Sequence, residues 1–379
     1  MHDSGEMIQL MNIDGERQAN PEWDAYLSDV DDDMLRQFYR DMFYTRRFDK
    51  EATALQRQGQ LALWVPLRGQ EAAQIGAGRA TKPQDYLFPT YREHGVALTR
   101  NVDFPQMLRL FRGISNGGWD PRENNFHMYT MVLAAQVPHA TGYAMAAKMD
   151  DAAMTPEQRA EDGTAVMAFF GDGASSEGDV HESMVFAASF NAPLVFFCQN
   201  NQWAISVPVK VQTKVPLSYR AQGYGFPGIR VDGNDVLAVL AVTRWALERA
   251  RTGQGPTFIE AYTYRMSAHT TADDPTKYRL DSEESAWVER DPLTRLENHL
   301  RATGIGDDAF FEDVSRGADE MAARVRQEAM SFPVPQLENL FENVYAEAHP
   351  LIQAELREHL EYEAGFLDQA DATAGGKHA

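Results

Sequence analysis

Residues 164–201 read TAVMAFFGDGASSEGDVHESMVFAASFNAPLVFFCQNN. Two short apolar runs stand in this stretch, TAVMAFF (164–170) and PLVFFCQ (193–199), each bounded by turn formers. Runs of that length, rich in aromatic and β-branched residues, predict strands buried on both faces. Between them DVHESMVFAASF (179–190) has helical spacing of its apolar residues. Strand, turn, helix, strand is the order of a right-handed parallel crossover. A second such unit comes next. GIRVDGND (228–235) leads into the helix DVLAVLAVTRWALERARTG (235–253), and TFIEAYTY (257–264) is a further strand.

Working outward, residues 1–30 are polar without periodicity and predict an extended arm. From Asp31 to Gln58, apolar residues such as Leu35, Phe38 and Met42 recur at helical spacing behind a cluster of Asp suited to a helix N-terminus. GQEAAQIGAGRA (69–80) predicts a second helix, while DYLFPTYREHG (85–95) and GISNGGWDPRENN (113–125) read as loops. Beyond Asp291 the chain reads as helices with short loops, ending in QAELREHLEYEAGF (353–366) and a tail. The expected fold class is α/β: a parallel sheet flanked by helices, with helical N- and C-terminal extensions. The expected organisation is an arm over 1–30, an α/β domain over 31–350, and a C-terminal helix and tail over 351–379.

Composition narrows the function. The 379 residues are 44% hydrophobic and 24% charged, as in ordinary globular proteins, and no apolar run reaches the ~18 residues of a membrane span. A formal net charge of −21 would repel nucleic acid and anionic membrane, so neither is an expected partner. Cys198 is the single cysteine, which excludes an intrachain disulfide and suits a reducing compartment. The N-terminus has early acids and no signal-like apolar run, and the expected location is cytoplasmic.

The chemistry converges on the two strand ends, because open parallel sheets bind ligands at the carboxyl ends of their strands. The first predicted strand ends in Gly171-Asp172-Gly173 and the second in Asn200-Asn201. Asp172 and Asn201 offer hard side-chain oxygens, and the irregular stretch after Asn201 can add a backbone carbonyl. Three protein oxygens leave about three octahedral Mg²⁺ positions for water or phosphate. Gly171 and Gly173 let backbone come close to a phosphate, and the next helix turns its N-terminus to the same edge. GDG or NN alone is most simply a turn. Their separation by 26 residues, across one complete crossover unit, is far more specific.

A GDG followed at this distance by NN resembles the thiamine diphosphate motif. The segments FGDGASSEGDVHE, CQNNQWAIS, GIRVDGNDVLAV and TYRMSAHTTADDPTKYR, with PTYREHG and GQEAAQ, resemble the α subunit of the decarboxylating component of 2-oxo acid dehydrogenase complexes. The likeness runs from about residue 30 to about residue 350. It implies the diphosphate-binding fold of that family and thiamine diphosphate with Mg²⁺ as cofactors. Asp172 and Asn201 match the Mg²⁺ side-chain ligands, and Trp203 matches the position whose backbone carbonyl joins them. Gly173 and Ala174 match the backbone beside the diphosphate, and Tyr91 and Arg92 the Tyr-Arg pair on it. Leu133, and more loosely Met131, match the segment under the cofactor's central rings. His269 matches the active-site histidine. His94 and His127 fall in loops on the same side.

The activity implied is oxidative decarboxylation of a 2-oxo acid with acyl transfer to the lipoyl group of an acyltransferase component. AHTTADDPTKYR resembles the branched-chain pattern more than the pyruvate type, which usually reads HSMSDP there. Pyruvate-type chains also carry a histidine near Val65. Branched-chain 2-oxo acids are therefore the expected substrates and pyruvate the alternative. From another class, a scaffold that kept the fold and lost the chemistry is opposed by the joint presence of Arg92, Asp172, Asn201 and His269. Two departures stand out. The stretch between His127 and Gln136 is shorter than in animal branched-chain proteins, and Thr270 stands where they carry a regulatory serine, so the resemblance does not by itself imply phosphorylation control there. In this family a β subunit supplies the pyrimidine-binding half and its carboxylate, usually as two α with two β chains. The single GDG-to-NN unit here fits that division.

Overall fold

The computed structural model describes residues 6–342 and 344–374. In chain order its main helices and strands begin with α1 (Asp32–Arg57), α2 (Glu71–Arg79), β1 (Tyr86–Phe88) and α3 (His94–Thr99). The centre holds α4 (Gln136–Asp150), β2 (Val166–Gly171), α5 (Gly178–Phe190), β3 (Leu194–Asn200), β4 (Gly228–Asp232), α6 (Val236–Arg251) and β5 (Thr257–Tyr262). Helices α7 (Pro292–Thr303), α8 (Asp308–Ser331) and α9 (Pro350–Ala374) complete the series. Contacts divide the chain into two units, Met1–Ser331 and Phe332–Ala379. The second holds α9 and, before it, a 3₁₀ turn at Leu337–Leu340.

The strands form one parallel sheet in the order β1-β2-β3-β5-β4. The chain moves one way across the sheet from β2 to β3 and the other way from β4 to β5. Right-handed crossovers therefore place α5 and α6 on opposite faces. Both faces are buried, which is why β2 and β3 read as unbroken apolar runs instead of alternating ones. Val166, Ala168 and Phe170 pack with Ala140 and Ala144 of α4 and Val180 and Met184 of α5. Phe169, from the other face of β2, meets Phe197 with ring centroids 5.2 Å apart. Fully burying an aromatic or aliphatic side chain of this size stabilises by about 1.5–3 kcal/mol.

Several segments differ from their sequence reading, among them a helical turn at Pro121–Asn124 inside the loop read over 113–125. The sequence reads 85–95 as a loop, but Tyr86–Phe88 pairs with Val166–Ala168 as the outermost strand, and α3 begins at His94. Three residues before a proline are too few to show a strand's pattern. The pairing is secured from elsewhere: Asp85 accepts from Ala165 N at 3.0 Å and Lys82 N at 2.7 Å and forms a buried ion pair with Arg251 of α6. At the opposite edge residues 7–11 of the N-terminal arm run beside the sheet, whereas Pro21–Asp24 and Ala25–Leu27, read from the sequence as part of an extended arm, are short helical turns. Ile8 forms a parallel bridge with Val231 of β4, and the Asp235 carboxylate accepts from Leu10 N and Met11 N while also capping α6.

Register positions the site. Gly171 lies beside Gln199, so β2 and β3 end side by side and release Asp172 and Asn201 at one edge. No helix among the described residues is long and apolar enough to cross a membrane.

Candidate active site

A cleft of about 510 Å³ opens at that edge. Gly171, Asp172, Gly173 and Ala174 line it from the end of β2, and Asn201 and Trp203 from the end of β3. The segment after β1 contributes Tyr91 and Arg92, the stretch before α4 contributes Met131 and Leu133, and the loop after β5 contributes His269. Every site residue named from the sequence thus lines one cavity. His94 and His127 do not. His94 is buried between Tyr129 Oη (2.8 Å) and the Val65 carbonyl (3.0 Å), stacked on Trp64, and His127 packs against Phe88.

Asp172 is 2% exposed, and burial pushes its carboxyl up to about 6. Its Oδ2 accepts from Gln212 Nε2 at 3.1 Å. A carboxylate this poorly solvated favours a cation beside it. The Asn201 amide is oriented by Gln70 Oε1 (3.2 Å) and Trp203 N (3.2 Å), and the Trp203 carbonyl accepts from Arg265 at 3.1 Å. Among the described residues no group of three or more His, Cys, Asp and Glu could hold a metal. Asp172, Asn201 and Trp203 all line the cleft, and a carboxylate, an amide oxygen and a backbone carbonyl are hard oxygens that suit Mg²⁺ better than a thiophilic metal. The backbone leaves room for a neighbouring anion. A side chain at Gly171 would meet nothing within 4 Å, whereas one at Gly173 would come within 2.7 Å of the Ala204 Cβ. These features fit a metal–diphosphate.

Opposite lies a cationic pair around a histidine. Arg92 is buried, donates through Nη1 to the Pro66 carbonyl, and through Nη2 to His269 Nδ1 (3.2 Å) and the His269 carbonyl (3.1 Å). Arg265 Nη1 approaches the same Nδ1 at 3.4 Å. Guanidinium groups only donate, so Nδ1 must present its lone pair and the ring proton sits on Nε2. Burial and then the two cations push His269 down to about 3, leaving a neutral imidazole. Burial, then Arg92, also lowers Arg265 to about 10. The Tyr91 ring stands edge-on to His269 at 6.2 Å, and Asp273 accepts from His269 N at 2.8 Å to shape the loop.

Sequence reasoning missed several polar groups. Glu93 is buried in the cleft wall, with Thr90 N and Oγ1 on one oxygen and Gln199 Nε2 on the other, all at 2.6 Å. Gln199 ends the predicted strand just before Asn200, and Arg265 lies four residues before His269; those positions were the available signals. Leu63 and Val65 make part of the wall apolar.

A family model described as dehydrogenase E1 component matches residues 39–338. The chain is 44% identical over 364 residues to the 3-methyl-2-oxobutanoate dehydrogenase subunit alpha of Mycobacterium tuberculosis, a match covering 96% of this chain and 95% of that one. It is 36% identical to the pyruvate dehydrogenase E1 component subunit alpha of Acholeplasma laidlawii, over 87% of this chain and 94% of that one. The protein of the same description from Bacillus cereus is 35% identical, over 90% of this chain and 88% of that one.

Proposed function

This chain belongs to the dehydrogenase E1 component family, and from that premise we propose that it is the α subunit of a thiamine diphosphate-dependent 2-oxo acid dehydrogenase acting on branched-chain 2-oxo acids. The observation that carries this reading is the convergence of Asp172, Asn201, Trp203, Arg92 and His269 on one cleft. Its partners are a β subunit and a lipoyl-bearing acyltransferase component. Asp172, Asn201 and the Trp203 carbonyl would hold Mg²⁺, and Arg92, next to the cleft and charged, would balance the diphosphate. Thiamine diphosphate, when bound, supplies an electron sink for the loss of carbon dioxide. His269 donates or steadies a proton through Nε2, since its Nδ1 is held by Arg92. The apolar Leu63 and Val65 exclude water from that part of the cleft.

Asp172→Ala removes the anionic ligand. Cofactor affinity measured by calorimetric titration with Mg²⁺ should fall at least ~10-fold, about 1.4 kcal/mol. Unchanged Mg²⁺-dependent binding by the folded variant would refute the metal assignment.

The substrate reading rests on the apolar wall at Val65 and on the 44% relative. With the β subunit and lipoyl acceptor present, kcat/KM should favour 3-methyl-2-oxobutanoate over pyruvate by ~10-fold or more, the scale of discrimination by added carbon in an apolar pocket. Preference for pyruvate would install the second reading, which the 36% and 35% relatives favour.

A further inference from the structure

Asp49 does not line the cleft, yet its carboxylate faces the connector that does. Residues 63–67 have no regular secondary structure, and Trp64, Val65 and Leu67 are buried. Buried irregular backbone must find a partner for each N–H and C=O outside any ladder. Asp49, 4% exposed on α1, accepts from the Trp64 indole at 2.8 Å through Oδ1. Its Oδ2 accepts from Leu67 N at 3.1 Å and Arg68 N at 3.3 Å. Three donors from one connector therefore end on one carboxylate.

The connector's remaining groups reach the reacting side. Trp64 N donates to Thr271 Oγ1 at 3.0 Å, and Thr271 N donates back to the Trp64 carbonyl at 2.9 Å. Met266 N donates to the Arg68 carbonyl at 3.1 Å. These bonds pin the loop on both sides of His269. The Pro66 carbonyl accepts from Arg92, the same guanidinium that donates to His269. Burial disfavours the Arg92 cation, and Tyr91, Glu93 and then Asp49 favour it.

We propose that Asp49 is a positioning residue for the reaction, acting through the 64–68 connector to set Arg92 against His269. The inference rests on the function proposed above for the identity of that reaction. Asp49 is not what docks α1. Arg46 bonds Glu71 and Asp291 at 2.7 Å each, and Asp41 pairs with Arg79 at 2.7 Å.

Asp49→Asn keeps the shape, but either orientation of the amide turns its NH₂ toward a donor. In the full chain, amide exchange across 64–68 and 266–273 should quicken at least ~10-fold while exchange in α1 stays as in wild type. In the complex with the β subunit, kcat should fall by ~10²-fold with KM nearly unmoved, as expected for misplacement from a distance. Thr271→Val cuts the same path from the loop side, so the double variant should be little worse than the more damaged single one. Unchanged loop exchange, unchanged kcat, or kcat losses that multiply in the double variant would each overturn the proposal. If Asp49→Asn does not fold, Trp64→Phe deletes one of the three donors, keeps an aromatic ring there, and is judged by the same readouts. If the wild-type complex turns over no 2-oxo acid, the function reading fails, and loop exchange alone decides whether Asp49 positions His269.

Discussion

His269→Ala is expected to slow the reconstituted enzyme by ~10²-fold or more, the scale for a positioned proton-transfer group. The side chain sits between two guanidinium groups and is neutral, with its proton on the nitrogen that Arg92 does not face. It can therefore donate without first being charged. Alanine removes the donor and leaves Arg92 bonded to the Pro66 carbonyl and to the loop backbone at position 269. Cofactor affinity should change only modestly, because the oxygens proposed for the metal, at Asp172, Asn201 and Trp203, lie on other segments. The check is steady-state turnover at saturating 2-oxo acid with a lipoyl acceptor, alongside cofactor titration. Turnover near wild type would make His269 a structural residue of the loop.

The second large effect is expected from the chain by itself. Saturated with cofactor and Mg²⁺ and offered a 2-oxo acid with an artificial electron acceptor, it should show no sustained turnover. Adding the β subunit should raise the rate by ~10²-fold or more, the contribution of a missing acid–base group. Among the described residues three carboxylates line the cleft: Asp172, Glu93 and Glu177. Asp172 is the carboxylate proposed for the metal, and both Glu93 oxygens are engaged by Thr90 and Gln199. Glu177 is exposed at the N-cap of α5. The five-stranded sheet takes up both crossover units, and among the described residues the regular elements beyond β5 are helices. Met131, Leu133 and Ile205 are exposed at the cleft, 44%, 46% and 52% respectively, which suits a site completed by another chain. Sustained turnover without a partner would point to Glu177 as a carboxylate working within this chain.

The legible and the hidden parts of the molecule differ in the range of the interactions behind them. β2, β3 and β5 were legible because burial on both faces leaves an apolar run that local reading detects. β1 was not, since three residues owe their strand to pairing with Val166–Ala168 and to the distant Arg251. Asp172 and Asn201 were legible because one crossover fixes their spacing. Arg92 and His269 needed the family resemblance, as 177 residues separate them in the chain and nothing local marks their contact. Asp49, Glu93, Gln199 and Arg265 are ordinary polar residues in the chain and acquire their roles only from the groups that tertiary packing sets against them.

The clasp between the N-terminal arm and the β4 edge has a consequence for how the protein is made. Leu10 and Met11 are 0% and 1% exposed once seated, but their seat includes Asp235, and Gly15 meets His299, 284 residues later. A ribosome makes the arm before it makes that seat. At ~5–20 residues per second, roughly ten seconds to a minute passes with those apolar side chains uncovered. During that interval the arm is open to chaperones and to wrong strand partners, and its closure waits for the β4 edge to form.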